Sequence, residues 1–190
     1  MLGLVATDAG GAQPTPPTVA GRTLSEWSVQ LKSLNRTVRR RAVLTLGAFG
    51  PRAVPALTGA LNDKDPAVRY WAASRLGDIG LPSKSARPAL KRLLTGDSFA
   101  VRLSAAYALC RLGDIQTGLP ILTKGLTVPD KGTNVSTADF LARIGPPAKA
   151  AVSALQKAIA EEKRLKRRSV IHVAPAAEEA LRRIAGGTLP

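Results

Sequence analysis

Apolar side chains return along this chain in a four-position motif with offsets of 0, 4, 8 and 11 residues. These offsets place the four side chains on one stripe of an α-helix. Clear copies begin at Val38, Val68, Val101 and Val173, and a degenerate copy begins at Thr133. The third position is always leucine, at steps of 30, 33, 32 and 40 residues: Leu46, Leu76, Leu109, Leu141 and Leu181. Self-similarity at this period predicts a repeat architecture.

A second apolar pattern, two residues spaced four apart, fills the intervals between these motifs. Its copies are Leu57 with Leu61, Leu90 with Leu94, Leu122 with Leu126, and Leu155 with Ile159. A proline stands two residues before each of the first three pairs, where the first turn of a helix tolerates it: Pro55, Pro88 and Pro120. Trp27 and Leu31 have the same spacing, which predicts an unpaired helix over residues 24–34 that caps the array.

Boundary residues agree with alternating first and second helices. Good N-cap types lie three residues before the first-helix anchors: Asn35, Asp65, Ser98 and Asp130. A glycine able to take a left-handed conformation follows each first helix: Gly50, Gly80, Gly113 and Gly145. The sequence therefore predicts an all-α, right-handed solenoid of about four to five helical pairs over residues 24–187, preceded by a leader over residues 1–23.

Three segments carry a family resemblance. They read "NRTVRRRAVLTLGAFG", "DPAVRYWAASRLGDIG" and "SFAVRLSAAYALCRLG", followed by helices that contain "VPAL", "RPAL" and "LPIL". These motifs resemble HEAT repeats of the phycobilisome-lyase type over about residues 24–185, and they are similar to repeat tails of some bacterial sulfatases. The resemblance implies an alpha-alpha superhelix whose second helices line a concave surface. The fourth repeat departs from the pattern, with Thr133 and Asn134 where Val and Arg are expected.

Composition excludes several classes of protein. The 190 residues include one cysteine, Cys110, and one histidine, His172, so a disulfide framework is excluded and a zinc site disfavoured. No apolar run approaches the roughly 20 residues of a membrane span. Glycine-rich phosphate loops, paired His-Glu motifs and a G-x-S-x-G elbow are all missing from the sequence. We therefore expect no catalytic residue, no metal and no cofactor, with Cys110 a small buried residue and His172 a boundary residue without a nearby acid.

The tryptophans and one set of arginines have structural interpretations. Packing is expected for Trp27 at the N-terminal end and for Trp71 beside the apolar stripe. The arginines that follow each valine anchor are expected to form a ladder that pairs with carboxylates in neighbouring turns. The arginines are Arg39, Arg69 and Arg102, and the carboxylates are Asp63, Asp65 and Asp97. The alternative is that this ladder binds an anionic partner.

The formal net charge of +15 makes the placement of cations the main functional signal. Arg92, Lys124 and Lys157 each lie two residues after the first leucine of a second helix, which predicts a basic row with a spacing of about 8–10 Å. Lys84 and Lys149 lie six residues before their leucines and extend it. A second cluster falls in the long connection before the last helix: Lys163, Arg164, Lys166, Arg167 and Arg168. Both sets are either a solvated surface or a binding surface for an anion.

The function that this pattern favours is a non-catalytic scaffold that mediates protein–protein interaction, with a basic concave groove for an acidic protein. Nucleic acid and anionic glycan are alternative partners. One alternative function is a nucleic-acid-binding protein similar to HEAT-like DNA glycosylases, although the second helices carry no aromatic residues for stacking and the candidate acids Asp114 and Asp139 have no supporting spacing. The other is an accessory subunit of a lyase or a sulfatase.

The first 23 residues do not follow the repeat pattern. Small residues at Gly10 and Ala12 resemble a signal-peptide cleavage region, yet no basic segment precedes them. We expect the remnant of an export signal, hence a periplasmic or exported protein. The alternative is a disordered leader on a cytoplasmic protein.

Overall fold

Helices follow one another along almost the whole described chain. A computed structural model describes residues 17–96, 98–165 and 172–186. The helices are α1 (Leu24–Gln30), α2 (Arg36–Leu46), α3 (Val54–Ala60), α4 (Pro66–Ile79), α5 (Arg87–Leu93), α6 (Phe99–Arg111), α7 (Ile115–Gly125), α8 (Lys131–Ile144), α9 (Val152–Leu165) and α10 (Ala174–Ile184). Segments of 3-10 helix lead into α3, α5 and α9: Gly47–Ala53, Leu81–Ala86 and Pro146–Ala151. The predicted all-α repeat fold is confirmed.

The first helices α2, α4, α6, α8 and α10 pack side by side along the array. Small residues at the middle of their apolar stripes are completely buried, which lets neighbouring backbones approach: Ala42, Ala72, Ala105, Thr137 and Ala177. The leucines of the stripe are also fully buried in α2, α4, α6 and α8, whereas Leu181 in α10 is half-buried. A helix that buries this stripe against two neighbours gains most of its stability from the stack rather than from itself.

The predicted N-caps are confirmed, whereas α2 ends at Leu46 and Gly50 lies inside the 3-10 segment that follows it. Each predicted N-cap side chain accepts a hydrogen bond from a backbone N–H in the first turn of its helix, for example Asn35 Oδ1 from Thr37 N at 2.9 Å. The glycines that follow α2, α4 and α8 have positive φ, but their ψ angles lie near −140° rather than in the left-handed helical region. That combination is accessible almost only to glycine.

The third repeat differs from the prediction at its second helix. The second-helix prolines Pro55 and Pro88 lie in the first turns of α3 and α5, but α7 begins at Ile115 and contains Pro120 in its interior. Here the helix starts directly after Gly113 and Asp114, without the 3-10 segment that the other repeats insert. The first turn of α7 therefore replaces that connector, and the proline lies one turn further along.

A short β-ribbon precedes the first helix. Strands β1 (Thr18–Val19) and β2 (Arg22–Thr23) pair antiparallel, although the sequence analysis assigned residues 18–23 to the leader. The carbonyl of Val19 accepts a hydrogen bond from the indole Nε1 of Trp27 at 2.8 Å, and Trp27 is only 2% exposed. Trp27 thus seals the N-terminal end as expected. The rest of the predicted leader, residues 1–16, lies outside the described residues.

Helix α6 separates two hydrophobic clusters. Ala105, Leu109 and Leu112 pack into the cluster formed with α1–α5, while Leu103, Tyr107 and Cys110 pack into the cluster formed with α7–α10. Cys110 is buried, as predicted, and burial raises the pKa of its thiol to about 12. Both sides of this helix are therefore core.

Helix α7 lies unusually close to α6. At Gly118 an added Cβ would lie 2.3 Å from the carbonyl oxygen of Ala106 and 2.6 Å from Cys110 Sγ. Only a residue without a side chain fits this approach.

Candidate functional site

The three cations of the predicted basic row (Arg92, Lys124 and Lys157) lie at equivalent places on α5, α7 and α9. Each follows by two residues a leucine that is completely buried: Leu90, Leu122 and Leu155. Because a fixed offset from a buried anchor fixes the face of a helix, the three side chains point away from the core in the same sense. All three are exposed.

Lys84 and Lys149, hereafter the flanking lysines, lie in the 3-10 segments that lead into α5 and α9. Both side chains are exposed. Within the described chain, neither the basic row nor the flanking lysines form a salt bridge with any residue. Their charges therefore face solvent without a counterion among the described residues.

The predicted pairing of the arginine ladder with carboxylates is confirmed for Arg39, whereas Arg69 donates to backbone carbonyls instead. Arg39 is 4% exposed and binds the carboxylate of Asp63 in the turn after α3, with Nε to Oδ2 at 2.8 Å. Arg69 donates to the carbonyl oxygen of Asp63 at 2.7 Å, and Arg102 donates to the carbonyl of Gly96. These arginines stabilise the turns between repeats.

The predicted partners of the ladder need one correction. Asp65 is bound by Arg40, the residue after the ladder arginine, with two hydrogen bonds of 2.8 and 3.0 Å. Hydrogen bonds from Arg40 and from the N–H of Ala67 hold the pKa of Asp65 below its usual value, although burial opposes this shift. Asp65 is the N-cap of α4, and its oxygens bind both the first turn of that helix and Arg40 of α2. The third predicted partner, Asp97, lies outside the described residues.

The second basic cluster is only partly described. Lys163 and Arg164 lie in the last turn of α9 rather than in a connection, because this helix continues to Leu165. Arg164 binds Glu161 one turn earlier, at 2.8 and 3.0 Å. Lys166, Arg167 and Arg168 lie outside the described residues.

The residues considered for catalysis take part in structural contacts. His172 Nδ1 lies 3.2 Å from Glu162 Oε1, so the expectation that it lacks a nearby acid is wrong. The carboxylate of Glu162 also accepts from the N–H groups of Val173 and Ala174 at the start of α10, and this capping is its structural role. Lys91 binds Asp114 at 2.9 Å. Among the described residues, no group of three or more His, Cys, Asp or Glu side chains could hold a metal ion.

A polar network that the sequence did not reveal joins three first helices. Asp78 on α4 accepts a hydrogen bond from the Tyr107 hydroxyl on α6 at 2.8 Å and forms an ion pair with Arg143 on α8. The guanidinium of Arg143 also lies 4.7 Å from the centroid of the Tyr107 ring, and Tyr107 stacks on Phe140. Burial raises the pKa of Tyr107 to about 12 and lowers the pKa of Arg143. The network holds α4, α6 and α8 together.

A cleft of about 460 Å3, hereafter the C-terminal cleft, lies beside the last member of the basic row. One wall is the turn after α7 and the start of α8, and the other is α9, which contributes Lys157. Asn134 lies on the wall, and its Oδ1 is buried and accepts no hydrogen bond from the described residues. The cleft was not predictable from the sequence, because it depends on the length of α9, the second helix that continues furthest past its leucine anchor.

Family models match the chain in two places. HEAT repeats match residues 24–110, and the PBS lyase HEAT-like repeat matches residues 101–127. No curated protein matches the chain. No helix in the described segments has both the length and the apolar character that crossing a membrane requires.

Solved structures share the fold at low sequence identity. The complex of CpcE and CpcF of phycocyanin lyase from Nostoc sp. PCC7120 is 24% identical, covers 97% of this chain and 71% of its own, and has a TM-score of 0.57. An engineered protein from the Northeast Structural Genomics Consortium is 23% identical, covers 88% of this chain and 83% of its own, and has a TM-score of 0.54. Residues 24–127 of this chain therefore carry HEAT repeats, which confirms the repeat type predicted from the sequence.

Proposed function

We propose that this chain is a non-catalytic HEAT-repeat scaffold that binds an acidic surface of a partner protein. The binding surface is the basic row on α5, α7 and α9, extended by the flanking lysines. The observation that carries this proposal is the repetition itself. Three consecutive second helices present an exposed cation at the same offset from a buried leucine, with no salt bridge to any described residue. Complementary charge of this kind steers association and fixes the register of a partner.

The use of the other cations supports this assignment. Arg39, Arg40 and Arg143 are bound to carboxylates within the fold, so their charges are already compensated. The cations of the basic row form no such ion pair with a described residue. One solved structure with the same fold is a complex of two chains, CpcE and CpcF, and this supports a role in assembly. The alternative of an accessory subunit differs from the proposal only in making the partner an enzyme.

Single-stranded nucleic acid fits this surface less well than an acidic protein. None of the seven aromatic side chains, all of which lie within the described segments, is exposed. Trp27, Tyr107 and Phe140 are buried, and the partly buried Tyr70 and Trp71 pack edge to face against each other. Proteins that bind single strands stack bases on exposed aromatics beside the basic groove.

The test compares the row variant, in which Arg92, Lys124 and Lys157 are replaced by Gln, with wild type. The probe is a fluorescein-labelled twelve-residue Asp/Glu peptide, and its Kd is measured at several salt concentrations. An exposed ion pair is worth about 0.5 kcal/mol, so losing three should raise Kd roughly tenfold. The salt dependence of binding should also become shallower in the row variant.

The matched control replaces three exposed cations at the N-terminal end, Lys32, Arg36 and Lys64, by Gln. It removes the same charge and should leave the Kd nearly unchanged. Equal affinity of wild type and the row variant would refute the proposal. Failure of the peptide to bind, together with a steep salt slope for a twelve-base-pair DNA duplex, would favour the nucleic-acid alternative.

A further inference from the structure

Most of the surface that lines the C-terminal cleft is apolar. Its volume of about 460 Å3 lies within the range of roughly 300–1,000 Å3 typical of ligand pockets. Leu126, Val128 and Pro129 form the wall after α7, and Ala154 and Ala158 form the wall on α9. Because alanines stand on one side, the space that a larger residue would fill is left open. The cleft therefore has room for an apolar group from outside the described residues.

The carboxylates at the rim of the cleft are compensated within the fold. Glu162 accepts from the N–H of Val173 at 2.8 Å and the N–H of Ala174 at 2.6 Å. Burial disfavours its ionised form, but these hydrogen bonds and the contact with His172 outweigh burial and lower its pKa. Glu161 is held by both hydrogen bonds from Arg164. Both carboxylates therefore already have partners within the fold and need no cation from a ligand.

The cations at the rim differ from one another. Lys131 Nζ lies 4.0 Å from Glu162 Oε1 and its side chain is 26% exposed. Lys157 is exposed and has no salt bridge within the described chain. Lys157 therefore gives the rim of the cleft a positive charge without a partner among the described residues, and Lys157 is also a member of the basic row. The same residue is the end of the row and a wall of the cleft.

We propose that the C-terminal cleft receives one large apolar side chain, such as Phe or Leu, from the acidic segment that lies on the basic row. The inference rests on the proposed function and names the chemistry of the partner more closely. An apolar anchor in a pocket surrounded by polar contacts is the usual centre of a binding surface.

The spacing of the row specifies the partner segment further. Neighbouring helices lie about 8–10 Å apart, and an extended chain advances about 3.3 Å per residue. Acidic residues at intervals of about three therefore reach successive cations. The expected segment has one apolar residue next to the acid that binds Lys157, followed by acids that reach Lys124 and Arg92.

The test uses two labelled ten-residue peptides that differ at one position. Both carry Asp and Glu at the other positions; the Phe peptide has one phenylalanine and the Ser peptide has serine in its place. Wild type should bind the Phe peptide about tenfold more tightly, because the aromatic ring moves out of water into the apolar cleft. This comparison needs no variant of the protein.

A pair of substitutions on α9 locates the effect. Ala158→Leu fills the cleft, so it should reduce the affinity for the Phe peptide about tenfold, to that for the Ser peptide, and leave the Ser peptide unaffected. Ala160→Leu adds the same bulk at an exposed position outside the cleft and should change neither Kd. The thermal midpoint of each variant establishes that it is folded.

The outcomes separate the two proposals. Equal affinity of wild type for both peptides, with both weakened in the row variant, would overturn the cleft proposal and leave the basic row standing. A row variant that binds both peptides like wild type would overturn the proposed function. In that case a preference for the Phe peptide that Ala158→Leu removes would still support the cleft as the anchor site. A Phe preference that persists in Ala158→Leu would count against it.

Discussion

Arg39 at the start of α2 binds Asp63 in the turn after α3 through two hydrogen bonds, Nε to Oδ2 at 2.8 Å and Nη2 to Oδ1 at 3.1 Å. The same guanidinium donates to the carbonyl oxygen of Ser33 at 2.8 Å. Both charged side chains are nearly buried, with exposed fractions of 5% and 10%. One arginine thus joins the turn before its own helix to the turn that leads into the next repeat.

Removal of the Asp63 carboxylate should destabilise the fold strongly. In Asp63→Ala the guanidinium of Arg39 stays buried without its counterion, and the N–H of Asp65 loses the acceptor that it contacts at 2.8 Å. Breaking one side of a buried ion pair costs about 3 kcal/mol or more. Urea unfolding of wild type and the variant measures the difference in the free energy of unfolding.

The control for this variant is an exposed ion pair. Glu161 and Arg164 are 51% and 69% exposed, and Glu161→Ala should change the free energy of unfolding by less than about 1 kcal/mol. If Asp63→Ala costs no more than this control, the structural ladder contributes little to stability.

Two glycines inside helices should respond to alanine in opposite directions. At Gly118 a methyl group collides with the backbone of Ala106, so Gly118→Ala should destabilise the protein by about 1–3 kcal/mol. At Gly59 in α3 nothing lies within 4 Å of an added Cβ, so Gly59→Ala should stabilise the protein by about 0.5–1 kcal/mol through helix propensity. Thermal unfolding of both variants checks the sign. A stabilising Gly118→Ala would show that α6 and α7 are further apart.

The salt bridge of Asp65 with Arg40 should make the free energy of unfolding depend on pH in the acidic range. Hydrogen bonds from Arg40 and Ala67 lower the pKa of Asp65 in the folded state, against the opposing effect of burial. A lowered folded pKa stabilises the protein at all pH values above the unfolded pKa of about 3.9, and this contribution disappears as the pH falls through the folded value. Asp65→Asn keeps an N-cap side chain but removes the titration.

The measurement is the free energy of unfolding of wild type and Asp65→Asn from about pH 6 to about pH 3. Wild type should be more stable at the upper end, and the difference should shrink towards the lower end. A difference that stays constant over this range would mean that the charge of Asp65 does not carry the effect.

The fold was predictable because the same apolar pattern recurs in each repeat. The valine, alanine and leucine stripe marks the buried face of each first helix, and Asn35 and Asp130 mark where helices begin. The start of α7 was not predictable from Pro120, because a proline is expected in the first turn of a helix, whereas this one lies in the helix interior. The decisive difference is the missing 3-10 connector after Gly113.

The candidate site was predictable only where it repeats. The offset of Arg92 and Lys124 from a leucine is visible in the sequence, and both side chains are exposed, but their role in binding stays a prediction. The contacts of Asp78 with Tyr107 and Arg143 were not visible, since these residues lie 29 and 65 positions after Asp78, on helices whose relative rotation the sequence does not state. The C-terminal cleft likewise depends on where one helix ends.

Because α6 supplies residues to both hydrophobic clusters, the two halves of the array share this one helix. Repeats at either terminus can unfold one after another without exposing α6, as in a linear chain of nearest-neighbour units. Once α6 itself detaches, each half loses one side of its core in the same event. The array is therefore expected to combine graded unravelling at its ends with an all-or-none transition at its centre.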